Sequence, residues 1–203
     1  MNLKPVVFVL CLTPLAWLAW RAGFAGLGAN PVETVNRFLG DWTLRFLLIT
    51  LAATPVRLLT GWAGMVRLRR MLGLFAFAYA VLHAANYAAV EQSLIWADIW
   101  ADVVKRQYIT AGALTFLMLV PLAATSTKGM VKRLGGKRWK RLHQLVYLAA
   151  IGGVVHYLMM VKADLLQPLI HGGILALLLG TRAAAHLANT RSRQLFSRLF
   201  TFS

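Results

Sequence analysis

Six stretches of mostly apolar residues divide this chain, at 5–20, 42–60, 71–90, 108–127, 142–161 and 165–187. About 20 such residues let a helix cross the hydrocarbon of a bilayer, and a helix satisfies its own backbone polar groups there. The pattern predicts an all-α membrane protein, a six-transmembrane-helix bundle forming one domain over residues 1–203. The first stretch follows Lys4 and has the outline of a signal peptide. Its apolar run is long for one, and five spans follow, so it reads as a retained helix. Pro55 and Pro121 fall inside spans, which membrane helices tolerate. There is no soluble domain, long linker, low-complexity tract or defensible internal repeat.

Composition narrows the class. Hydrophobic residues make up 59% of the chain, against about 45–50% in a soluble domain. That excludes a disordered chain, which needs low hydrophobicity. The single cysteine, Cys11, excludes a disulfide scaffold. The formal net charge of +16 would suit a nucleic-acid binder, but such charge must lie on a folded, water-facing surface. Here it sorts by membrane side instead. With the N-terminus in the cytoplasm, the inner side holds Lys4, Arg57, Arg67, Arg69, Arg70, the seven basic residues of 128–141, Arg182, Arg191, Arg193 and Arg198. The outer side holds Arg21, Arg37, Arg45, Lys105, Arg106 and Lys162, with all six acids: Glu33, Asp41, Glu91, Asp98, Asp102 and Asp164. The positive-inside rule then predicts that both termini are cytoplasmic. Trp17, Trp20, Trp42, Trp62, Trp96, Trp100 and Trp139 fall near the ends of the expected spans, as an aromatic belt would.

Ionisable residues inside a span are costly, which turns attention to the five histidines. His83 and His156 each lie 8 residues before the first outer acid that follows, Glu91 and Asp164. Both are therefore about 12 Å inside the outer boundary. On a helix, His83 leans over Ala80 and Ala76, and His156 over Gly153, Gly152 and Ala149. Such strips of small residues admit close helix packing, or a flat macrocycle between helices. Two histidines at one depth on facing helices can supply both axial ligands of a haem iron, and a hydrogen-bonded packing role is the competing reading. His143 lies at the cytoplasmic start of span five, about 20 Å below His156. On an ideal helix the two would point about 140° apart. It is either an interfacial residue or a ligand at a second, inner redox site. His171 and His186, at opposite ends of span six, read as packing or interfacial residues, with His186 a weak candidate partner for His143.

The fragments GLGANPVE (26–33), RRMLG (69–73), His83 and TSTKGMVKRLGGKRWKRLHQLVY (125–147), then His156–Tyr157 and Val161–Lys162, occur in an order and spacing that resembles the MsrQ (YedZ) family, among the ferric-reductase-like transmembrane domains. The resemblance covers nearly the whole chain. It implies a six-helix bundle in the bacterial inner membrane holding haem b, one or two per chain, through histidines of spans three and five. His83, His143 and His156 match those positions. It implies a haem-binding electron-transfer subunit taking electrons from quinone or a cytoplasmic flavin reductase. The electrons pass to MsrP, a periplasmic molybdenum enzyme that reduces methionine sulfoxide in oxidised proteins. FMN has also been associated with the family, without residues that can be assigned here. The related NADPH oxidases place two histidines on span three, whereas the positions 13 and 14 before His83 are Arg70 and Arg69. The inner ligand pair is incomplete in that respect. There is no G-x-G-x-x-G and no nicotinamide domain, so electrons must come from a separate donor.

No catalytic acid, base or nucleophile is visible, and the chain reads as a conduit rather than a site of substrate chemistry. Two other classes remain open at this point. One is a stand-alone ferric or quinone-linked cytochrome b reductase acting on a small acceptor. The other is a transporter with a histidine proton relay, against which stands the lack of an inverted repeat or paired broken spans. The basic loop 128–141 is expected to contact lipid headgroups, or to dock an acidic flavoprotein or a flavin phosphate.

Overall fold

The computed structural model of the protein describes residues 3–161 and 163–200, apart from the side chains of 189 and 191–200. Lys162 and the side chains of Arg191, Arg193 and Arg198, assigned above to membrane sides, lie outside the described residues. Every regular element of the described chain is a helix: α1 (Lys4–Trp20), α2 (Pro31–Thr60), α3 (Gly64–Ala85), α4 (Trp96–Lys105), α5 (Gln107–Ala124), α6 (Lys128–Leu134), α7 (Gly136–Leu142), α8 (Leu145–Met160) and α9 (Leu166–Phe200). α1 and α3 each run on into a π-helical stretch, Arg21–Ala25 and Asn86–Glu91. Six segments are long and apolar enough to cross a membrane: Lys4–Ala25, Pro31–Thr60, Gly64–Glu91, Gln107–Ala124, Gly136–Met160 and Leu166–Ala188. The six expected spans are all present, and their ends are where sequence and structure differ.

The second span begins at Pro31, not at residue 42. The charges between those positions suggested a loop, but they pair along the helix. Glu33 meets Arg37 at 2.5 Å and Asp41 meets Arg45 at 3.2 Å, both one turn apart. Spacing of this kind supports a helix instead of ending it. Asn30 caps the first turn by accepting from the Glu33 N–H at 3.2 Å, and Pro31 sits where its missing N–H costs nothing. Trp42 is consequently eleven residues inside α2 and not at its end. It lies between Phe38 and Phe46, with the Arg45 guanidinium 5.0 Å over its ring.

The fifth span is also not one helix over 142–161. α7 ends at Leu142, His143 and Gln144 form a turn, and α8 starts at Leu145. The ideal-helix angle between His143 and His156 therefore does not apply. The basic loop is two short helices, α6 and α7, with Thr127 capping α6 by accepting from Met130 N–H at 3.2 Å.

Two antiparallel hairpins, α2 with α3 and α5 with α8, form the centre. They meet where α2 touches α8 and where α3 touches α5, and α9 packs on α2 and α8. α1 lies against α3, where Tyr79 donates to the Cys11 carbonyl at 2.9 Å and Phe8 packs edge-on to Phe75. Leu44, Leu47, Leu48 and Leu51 of α2 join Leu72, Ala76 and Tyr79 of α3 and Ala149, Ala150 and Val154 of α8 in the core. Leu114, Leu117, Leu148 and Leu177 stay exposed. Apolar side chains around the outside suit a bundle whose solvent is lipid. One end of the bundle carries Thr60, Gly64, Thr125 and His143 with most of the cations, and is called the basic end below. The acidic end carries Glu33, Glu91, α4 and Asp164.

Candidate functional site

His83 comes from α3 and His156 from α8, and the bundle brings their rings together with centroids 6.2 Å apart and planes at 75°. Equal depth on two helices becomes a facing pair across the line where the hairpins meet. Each ring is held from behind in the same way. His83 Nδ1 donates to the Asn36 carbonyl of α2 at 2.9 Å, and His156 Nδ1 donates to the Tyr108 carbonyl of α5 at 2.7 Å. A carbonyl can only accept, so each Nδ1 carries the hydrogen and each neutral ring keeps its lone pair on Nε2. This backbone anchor fixes the tautomer and orientation that a metal-ligating imidazole needs.

The space for each ring comes from a glycine on the same helix as its anchoring carbonyl. A Cβ on Gly40 would stand 3.1 Å from His83 Cε1, and one on Gly112 would stand 2.9 Å from both Cε1 and Nδ1 of His156. Gly40 follows Asn36 by four residues and Gly112 follows Tyr108 by four, which puts carbonyl and glycine on one helix face. The two sites share one construction: a carbonyl, a glycine one turn later, and a histidine from the other helix of the hairpin. Sequence reasoning missed both glycines. The available signal was an isolated glycine inside an apolar helix, where it costs about 1 kcal/mol relative to alanine and calls for a packing reason.

Of the two roles considered for the small residues beneath the histidines, the structure shows close helix packing. Ala76, Ala80 and Ala149 are buried in the core. A Cβ on Gly152 would collide with Thr115 Oγ1, and one on Gly153 would stand 3.4 Å from a Leu44 methyl. These strips bring α8 close to α5 and α2.

The remaining histidines are placed apart. His143 lies in the turn between α7 and α8, with Nε2 3.1 Å from Thr125 Oγ1 and its ring stacked on Trp139 at 3.9 Å between centroids. Trp139 in turn donates to the Thr125 carbonyl at 2.9 Å. No second histidine contacts His143 among the described residues. His186, its weak candidate partner, is exposed on α9. His171 is buried, donates to the Gln167 carbonyl of its own helix at 2.7 Å and packs edge-on to Tyr157, a packing role.

What the central pair can do follows from its spacing and ligand count. A metal between two Nε2 atoms at about 2 Å each would set the ring centroids about 6 Å apart, close to the spacing seen. Among the described residues no third His, Cys, Asp or Glu joins them. Two imidazoles alone suit a metal whose other ligands arrive with it, as in a macrocycle, better than a bare ion.

Comparison with known proteins points the same way. Residues 39–154 match the family model of the ferric reductase like transmembrane component, a stretch that includes His83 and His143 and stops two residues before His156. The chain is 58% identical over 186 residues to a protein of Rhodospirillum rubrum named protein-methionine-sulfoxide reductase heme-binding subunit MsrQ, covering 92% of this chain and 89% of that one. It is 49% identical to the protein of the same name from Caulobacter vibrioides, covering 86% and 83%. The match to the one from Polaromonas naphthalenivorans is 46%, covering 94% and 88%. A bundle that faces two anchored histidines across paired hairpins, and identity of this extent along nearly all of its length, place the chain in the MsrQ family of ferric-reductase-like membrane proteins.

Proposed function

We propose that this chain is the haem b electron-transfer subunit of a protein-methionine-sulfoxide reductase system in the bacterial inner membrane. It would take electrons from quinol or a cytoplasmic flavin reductase at its basic end. It would deliver them at its acidic end to a periplasmic molybdenum enzyme, MsrP, that repairs oxidised methionine in proteins. The observation that carries this reading is the facing pair: His83 and His156 at 6.2 Å, each with Nδ1 committed to a backbone carbonyl and Nε2 free to ligate. When bound, the haem supplies one-electron chemistry between ferric and ferrous iron. His83 and His156 would hold it, and two histidine ligands suit a conduit better than a site of substrate chemistry. Gly40 and Gly112 leave room for the rings, and the low-dielectric bundle around them would tune a bound iron's potential through burial and nearby charge. FMN belongs to the same reading as a carrier on the donor side.

His143 is assigned in this reading to a second redox group near the donor. Its Nε2 must then exchange Thr125 for iron, and the count of haems decides whether it does. Oxidised and dithionite-reduced spectra of the purified protein, with a pyridine haemochrome assay, test all of this. The expected result is a b-type α-band. His83→Ala and His156→Ala should each lose the haem at the acidic end, and full haem content in both variants would overturn the site. Two haems per chain, with one lost in His143→Ala, would establish the second group. One haem per chain, retained in His143→Ala, would remove it.

A further inference from the structure

The basic end holds a second cluster that the facing histidines do not use. Arg182 reaches from α9 into the bundle, donating through Nη1 to the Tyr147 hydroxyl at 2.6 Å and through Nη2 to the Leu51 carbonyl. Its guanidinium lies 5.3 Å over the Tyr147 ring. Its Nε is buried without any hydrogen-bond partner. Arg69 of α3 is half-buried and close enough to Arg182, Tyr147 and His143 to interact electrostatically with each. No hydrogen bond or ion pair holds its side chain among the described residues. Leu51 lies nine residues, about 14 Å, above the end of α2, so the Arg182 guanidinium sits within the bundle, while Arg69, five residues or about 8 Å into α3, stands nearer its basic end.

Two guanidiniums in such a place repel each other, and arginine cannot shed its charge to relieve this. A carboxylate would balance them, and none is near. The three ion pairs among the described residues, Glu33–Arg37, Asp41–Arg45 and Asp102–Arg106, all lie toward the acidic end. Cations left in this state are expensive in a bilayer and mark a functional site. Guanidinium presents a planar fork of donors that matches the oxygens of phosphate and carboxylate.

We infer that Arg69 and Arg182 form an oxyanion-binding site that holds the phosphate or carboxylate of a ligand entering from the basic end. The ligand is not the group between His83 and His156, because His83 stands 14 residues along α3 from Arg69, about 21 Å away. Three sources share the required chemistry: the phosphate of a flavin nucleotide, the propionates of a haem at the basic end, and the phosphate of an anionic lipid. The inference does not depend on the haem at the acidic end.

The test is native mass spectrometry of wild type, Arg69→Gln, Arg182→Gln and Arg70→Gln purified in mild detergent, followed by titration of the stripped proteins. Arg70 is an exposed neighbour on α3 and controls for charge alone. Probes are FMN against riboflavin, phosphatidylglycerol against phosphatidylcholine, and haemin. Wild type and Arg70→Gln should carry an oxyanion ligand or bind one of these probes, with the phosphate-bearing or anionic member of each pair preferred. The mass identifies the source. Arg69→Gln and Arg182→Gln should weaken that binding at least tenfold while keeping the α-band of the acidic-end haem, so loss of one site is distinguished from loss of the other. Unchanged affinity in both variants overturns the site. If the glutamine variants do not fold, wild type decides: no bound oxyanion and no preference within either probe pair also overturns it.

Discussion

A single hydrogen on Nδ1 of His83, and another on His156, give the centre its chemical character. Both are spent on backbone carbonyls, and both rings depend on a glycine that leaves them room. Gly112→Ala should therefore tilt His156, since the added Cβ would stand 2.9 Å from two ring atoms. Gly40→Ala should disturb His83 less, because its nearest approach is 3.1 Å. Alanine favours a helix over glycine by up to about 1 kcal/mol, so neither change should destabilise the bundle greatly. The expected outcome is reduced haem per chain with a nearly unchanged thermal midpoint, and a larger haem loss in Gly112→Ala. Equal and full occupancy in both variants would show that the glycines do not shape the site. The histidines themselves were legible in the sequence because depth can be counted from charges. Their anchors were not, because a carbonyl acceptor has no residue type. Gly40 and Gly112 acquire meaning only when the hairpin partner of each helix is known.

At the level of elements, the number of crossing helices was plain from hydropathy, and their ends were obscured by charge. Glu33, Arg37, Asp41 and Arg45 look like a loop when counted one by one and like a helix when read at spacing four. Asn30 and Pro31 marked the true start. The amphipathic helix α4 was also missed, its ten residues being too few for a span and its acids read as loop. It exposes Trp96, Trp100 and Val104, while Asp102 on its other side accepts from the Tyr87 hydroxyl and from Gln92 and pairs with Arg106. That tie fixes α4 to the ends of α3 and α5. The basic segment folds as α6 and α7, which expose Lys137 and Arg138. If this surface docks a cytoplasmic donor, reversing both charges (Lys137→Glu with Arg138→Glu) should slow haem reduction by that donor severalfold. Dithionite reduction and haem content should stay as in wild type. Unchanged donor kinetics would leave the two helices a role in lipid contact alone.

At the scale of the whole molecule the charge is sorted by end, with the three ion pairs of the described residues toward one end and most of the cations at the other. The positive-inside rule predicts that the basic end faces the cytoplasm. Single cysteines test this directly. Cys11 is buried and should stay silent toward a membrane-impermeant maleimide. Ser93→Cys, exposed beyond α3, should react in cells whose outer membrane alone has been opened. Lys137→Cys should react only after the inner membrane is also opened. The reverse pattern would invert the direction of electron flow proposed here.

Each histidine is clamped inside its own hairpin, His83 between α3 and α2 and His156 between α8 and α5. The two clamps therefore behave like the jaws of a caliper. Their opening depends on how the hairpins seat on one another through α2 with α8 and α3 with α5. Bulk added along that seam, far from any histidine, would widen the gap while leaving both grips intact.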